Sequence, residues 1–98
     1  MNYLEIISYF EDQIKEKSKY ELLEMHYAPY SFGSGFRTYR INGKIIKIIY
    51  NGKENLVELK ISNRHEKYPL NSWKSFSLGD VNDFIDKGII QMKDELKG

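Results

Sequence analysis

No cysteine occurs in the 98 residues, which removes disulfides, thiolate metal sites and a thiol nucleophile together and fits a reducing cytoplasm. Proline is scarce, and its two occurrences, Pro29 and Pro69, mark connections rather than regular elements. Long apolar runs are missing as well. The longest, Ile45 to Tyr50, is interrupted by Lys47 and falls far short of the roughly 20 residues of a membrane span. The opening Met-Asn-Tyr-Leu-Glu has neither the basic start nor the cleavage site of a secretory signal. Ala28 is the sole alanine while lysine, isoleucine and asparagine abound, a bias that points to an AT-rich bacterial or phage gene. These absences together lead to the expectation of a small soluble, cytoplasmic protein without a membrane partner.

What is present suits one packed core. Hydrophobic residues make up 41% and charged residues 30%, an ordinary globular balance, and the length suits a single α+β domain over 1–98. The net charge of +1 hides an uneven layout: −3 over residues 1–35, +6 over 36–76 and −2 over 77–98. A basic middle between acidic ends can give one electropositive face.

Hydrophobic spacing places the elements. Asn2 with Glu5 reads as a capping box, and Tyr3, Ile6, Ile7, Phe10 and Ile14 recur at helical spacing, predicting a first helix that ends near Glu16 or Lys17. Residues 20–27 are ambiguous, since Ser18 with Glu21 resembles a helix start. The alternation of Leu23, Met25 and Tyr27 favours a strand. Ala28 to Gly35 reads as a loop. Phe36 to Ile41, Lys44 to Tyr50 and Leu56 to Ile61 read as strands, the first two joined by Asn42-Gly43, whose residues tolerate the positive φ of a type I′ hairpin turn. Residues 62–76 show no period and read as a connection with an aromatic plug. Ser77 with Asp80 reads as the cap of a last helix carrying Val81, Phe84, Ile85, Ile89, Met92 and Leu96, with Gly88 permitting close packing. The expected architecture is helix, three- or four-stranded antiparallel meander, helix, both helices on one sheet face.

Register follows from counting. The Asn-Gly turn sets Ile41 opposite Lys44, Tyr39 opposite Ile46 and Arg37 opposite Ile48. A turn over Asn51–Glu54 sets Tyr50 opposite Asn55, Ile48 opposite Val57, Ile46 opposite Leu59 and Lys47 opposite Glu58. One face then collects Tyr39, Ile46, Ile48, Val57, Leu59 and Ile61. The other collects Thr38, Arg40, Ile45, Lys47, Glu58 and Lys60, with Phe36, Ile49 and Leu56 at one end.

Four features bear on function. The loop Ser31 to Gly35 is glycine-rich but lacks the Lys-Ser/Thr of a P-loop and the third glycine of a dinucleotide fingerprint. His26 and His65, beside Glu24 and Glu66, are the only histidines, and neither has a partner at metal-ligand spacing. No catalytic residue, metal site or cofactor is therefore assigned. Arg64, His65, Lys67, Tyr68, Trp73, Lys74 and Phe76 interleave bases and rings, and with Arg40, Lys47 and Lys60 could contact phosphates and stack bases. The blander account has Trp73 and Phe76 closing the core. Finally Phe36, Ile49 and Leu56, which Tyr20, Tyr27, Tyr30 and Phe32 could widen, form an apolar patch of the kind that marks protein contacts, unless the Pro29 loop buries them.

The resulting expectation is a non-enzymatic protein that docks on another protein through its outer sheet face and loops, an outline that an inhibitor or immunity-type protein of a mobile element fits. The alternative is a nucleic-acid-binding module using the basic middle segment. An exposed edge strand would also allow pairing into a homodimer.

Overall fold

The computed structural model describes residues 1–15, 19–62, 67–69 and 72–97. Helix α1 (Tyr3–Lys15) is followed by strands β1 (Tyr20–Ala28), β2 (Ser34–Ile41), β3 (Lys44–Asn51), β4 (Leu56–Ile61) and β5 (Lys74–Asp80). A continuous helical segment closes the chain: α2 (Val81–Asp83), a π-helical turn (Phe84–Gly88) and α3 (Ile89–Leu96). All five strands form one antiparallel sheet in the order of the chain. Both helical ends share one core with the sheet. Ile6, Phe10 and Ile14 of α1 and Phe84, Ile89 and Met92 of the last helix pack with Tyr39, Ile48 and Leu59.

Local chemistry explains the start and end points. The Asn2 carboxamide oxygen accepts from the Glu5 amide at 2.9 Å while Glu5 accepts from the Asn2 amide at 3.1 Å, the expected reciprocal cap. The expected end of α1 at Glu16 or Lys17, and the Ser18 cap, fall outside the described residues. Asn42 and Gly43 take φ of 51° and 79°, the left-handed pair a tight hairpin needs. The same turn secures the far end of α3: Asn42 Nδ2 donates to the Leu96 carbonyl and Lys44 Nζ to the Glu95 carbonyl, two acceptors that no helical amide reaches.

Three expectations are corrected. The sheet has five strands, because Lys74–Asp80, read as connection and cap, pairs with β4. Its signal is weak since Ser75, Ser77 and Gly79 offer little apolar alternation and Phe76 is the extra residue of a bulge between Leu59 and Lys60 partners. The last helix accordingly begins later, with Asp80 rather than Ser77 as its cap, in a capping box with Asp83. The β3–β4 register is displaced by two residues: Asn51 faces Leu56, Tyr50 faces Val57, Ile48 faces Leu59 and Ile46 faces Ile61. Asn51 stays in the strand and its side chain accepts from the Lys53 and Glu54 amides, while Asn55 takes φ of 55° to close the loop. Lys47 therefore faces Lys60 and Glu58 faces Ile49, so the Lys47–Glu58 pair does not form across the strands. The loop remains four residues long. Every side chain thus keeps its expected face.

Residues 20–28 are a strand, and Gly88 does allow close approach: a Cβ there would lie 2.9 Å from Ser77 Oγ.

Candidate functional site

The outer sheet face, opposite the helices, carries its side chains in rows set by the register. One row runs His26, Phe36, Ile49, Glu58, Leu78 from β1 to β5. Its neighbour runs Glu24, Thr38, Lys47, Lys60, Ser75. The expected apolar cluster is thereby assembled in part: Phe36 and Ile49 are direct partners and Leu56 lies diagonal to Ile49 on the next strand, whereas Tyr20 and Tyr27 fall on the helix side against Tyr39 and Tyr3. Phe36, Ile49 and Leu56 are half-buried. Leu78, which sequence reasoning assigned to a cap, extends the row at 64% exposure.

Two loops meet at this end of the sheet. Ser34 Oγ accepts from the Gly52 amide at 2.9 Å. A Cβ on Gly52 would fall 1.8 Å from the Phe32 carbonyl oxygen, so only glycine admits this contact between the β1–β2 and β3–β4 loops. The loop is further tightened by bonds from Ser31 N to the Ala28 carbonyl and from Ser34 N to the Ser31 carbonyl, both 3.0 Å. It presents Tyr30, fully exposed, and Phe32, 69% exposed. Phe32 has φ of 58°, the left-handed region that costs a residue with a Cβ about 1–2 kcal/mol. Lysines accompany the rings. Lys47 Nζ lies 4.1 Å from the Phe36 centroid and Lys53 Nζ 6.0 Å from that of Phe32.

The basic set is more scattered than the sequence implies. Arg40 sits at the opposite end of the face and lies 3.8 Å from Glu21; Lys60 lies 4.0 Å from Glu58. Lys67 and Lys74 are exposed, and Arg64 and His65 fall outside the described residues. The aromatic plug divides. Phe76 packs against the core, whereas Trp73 lies on the outer face with its ring centroid 5.8 Å from Lys47 Nζ. Tyr68 donates its hydroxyl to Glu24, which holds that phenol above its ordinary range, with desolvation adding in the same sense. Thr38 and Ile45, outer-face residues by register, are fully buried.

A second polar cluster lies on the helix side. Glu11 accepts from Arg37 Nη1 at 3.0 Å and from the Tyr39 hydroxyl at 2.5 Å, while the Tyr3 hydroxyl accepts from Arg37 Nε at 3.4 Å and donates to the Phe36 carbonyl at 3.2 Å. Each group is used to fasten α1 to β2. Burial and the bond to Glu11 raise the Tyr39 phenol well above its ordinary value of 10.0. Desolvation opposes the charge on Arg37, but its contacts with Tyr3 and Tyr39 outweigh that and raise its pKa.

This sets a pH dependence. Below the unfolded-state value both states keep the Tyr39 proton and stability is constant. Above about pH 10 the unfolded chain loses it first, so stability falls by up to about 1.4 kcal/mol per pH unit from this group. Tyr39→Phe is expected to flatten that alkaline slope in urea titrations between neutral and strongly alkaline pH. An unchanged slope would show that other groups carry it.

Among the described residues no cluster of three or more His, Cys, Asp or Glu could hold a metal ion, and no helix is long and apolar enough to cross a membrane. A shallow groove lined by Phe76, Ser77, Leu78, Asp83, Lys87 and Gln91 borders β5. Among the described residues its walls include no histidine. Comparisons with protein-family models, with curated proteins and with solved structures find no match to this chain.

Proposed function

We propose that this chain is a non-enzymatic binding protein that docks on another protein through the end of the sheet formed by Phe36, Ile49 and Leu56 with the loop residues Tyr30 and Phe32. The observation that carries the reading is Phe32. A bulky ring is held in solvent at a backbone conformation that asparagine or glycine would adopt with less strain. Within the domain the Phe32 ring gains only the distant Lys53 contact, and aromatic side chains at tight loop tips are effective anchors in partner pockets. Lys47 and Lys53 beside the rings define the complementary chemistry as an apolar pocket ringed by carboxylates.

Phe32→Asn separates binding from folding. The variant is expected to be as stable as the parent or up to about 1 kcal/mol more stable, while retaining a tenth or less of the partner captured from host extract. Ile49→Asp should lose capture likewise. Both variants capturing the same protein as the parent would remove the docking end from consideration. Nucleic acid has weaker support, because Glu21 and Glu58 lie beside Arg40 and Lys60. Binding of oligonucleotides at moderate salt, unaffected by Phe32→Asn, would favour that alternative.

A further inference from the structure

The two edges of the sheet are protected unequally. Edge β5 carries Lys74 and Gly79, has a bulge, and runs straight into the last helix. Edge β1 spans nine residues, Tyr-Glu-Leu-Leu-Glu-Met-His-Tyr-Ala, without lysine, arginine or proline, the residues that usually discourage edge pairing. On its helix side Tyr20, Leu22, Met25 and Tyr27 stand in a row, each 37–58% exposed. Leu4, also exposed, precedes by seven residues the Glu11 that reaches Arg37, and so lies on the flank of α1 that borders this row.

A bulge on an edge strand ordinarily turns it away from partners. Here its position has the opposite consequence. Leu22 faces Tyr39 and Glu24 faces Thr38, so Leu23 is the extra residue. The faces therefore change parity in mid-strand: Tyr20 and Leu22 before it share a side with Met25 and Tyr27 after it, and Glu21 shares the other side with Glu24 and His26. A two-fold axis between Leu23 and Glu24 then sets Leu22 against Met25, Tyr20 against Tyr27 and Glu21 against His26 of a second copy. Apolar meets apolar on the helix side, and carboxylate meets imidazole on the outer side. Symmetric registers centred on any single residue near the middle would instead set apolar against polar across the bulge.

We infer that β1 pairs antiparallel with β1 of a second copy about this axis, joining two five-stranded sheets into one of ten strands. The interface is isologous and closes on itself, so it yields dimers rather than fibres. The axis lies at Leu23 and Glu24 in mid-strand, whereas Phe32 stands on the loop beyond the end of β1, so separate substitutions address the two surfaces.

Sedimentation velocity on the full chain from low micromolar to submillimolar concentration tests it. The parent is expected to show a reversible monomer–dimer equilibrium, Met25→Lys to remain monomeric with an unchanged circular dichroism spectrum, and Phe32→Asn to dimerise like the parent. Register is read by oxidation, which the absence of native cysteine makes clean. A mixture of Leu22→Cys and Met25→Cys chains should cross-link faster than either variant alone. A parent that stays monomeric throughout, or a dimer whose cross-linking ignores this pairing, overturns the inference.

Discussion

An Ile48→Lys chain is expected to be unfolded in water at ordinary temperature, whereas Lys47→Ile, one residue away, should fold with stability within about 1 kcal/mol of the parent. Ile48 is fully buried in the central strand, between Arg37 and Leu59 and under both helical ends. A lysine there forfeits roughly 3 kcal/mol of apolar burial and must also either bury an ammonium or force it out through the packing. The total, upwards of about 5 kcal/mol, is comparable with the roughly 5–15 kcal/mol that holds a domain of this size together. At position 47 the side chain lies on the outer face, half-buried over Phe36 and directly opposite Lys60. Removing that like-charge pairing offsets the lost cation–ring contact. Far-UV circular dichroism and urea titration of the two variants decide the matter. A folded Ile48→Lys chain would contradict the assignment of faces on which the docking surface depends.

The second large effect lies in the Glu11 cluster. Glu11→Ala is expected to cost about 2–4 kcal/mol, more than one hydrogen bond, because it strands two groups at once. The Arg37 guanidinium, with its side chain only 17% exposed, loses its counter-charge, and the buried Tyr39 hydroxyl loses its acceptor. If the penalty is mainly the stranded charge, adding Arg37→Met to Glu11→Ala should recover a good part of it. The double variant should then be more stable than the sum of the single changes implies, by about 1–3 kcal/mol. Additive costs in urea titrations would mean that the two residues stabilise the domain independently and that the ion pair does not fasten α1 to the sheet.

Much of this was legible in the order of residues because it rests on short-range rules. The Asn2–Glu5 cap, the Asn42-Gly43 turn and the alternation from Tyr39 to Ile61 each depend on neighbours a few positions apart, and each appears as expected. Even the displaced β3–β4 register left the faces intact, because shifting a four-residue loop by one position moves the pairing by two. The residue that Lys47 meets was not legible. That depended on whether the Asn51 side chain would cap the loop from inside the strand, a competition between two local geometries with similar signals. Strand β5 was hidden for a different reason. Ser75, Ser77 and Gly79 carry no propensity for a strand, and only the free edge of β4 recruits them.

The candidate site divides along the same line. Phe36, Ile49 and Leu56 could be grouped from periodicity, since a pleated sheet sends alternate residues to one side. Tyr30 and Phe32 could be named as neighbours but not as an anchored tip, because the anchoring is a backbone contact between Phe32 and Gly52, twenty residues apart. Leu78 joins the patch only through its pairing with Glu58. The apolar row on β1 was obscured by Leu23, whose insertion breaks the period that sequence reading relies on.

Local spacing alone therefore settled the first helix, the three central strands and which way their side chains point, for those properties need only the geometry of a single strand or turn. Tertiary structure decided which strand edge has no paired strand among the described residues, which loop braces Phe32, and which charges find partners. These are contacts between segments distant in the chain, chosen by the closing of the whole core, and no window of neighbouring residues contains that information.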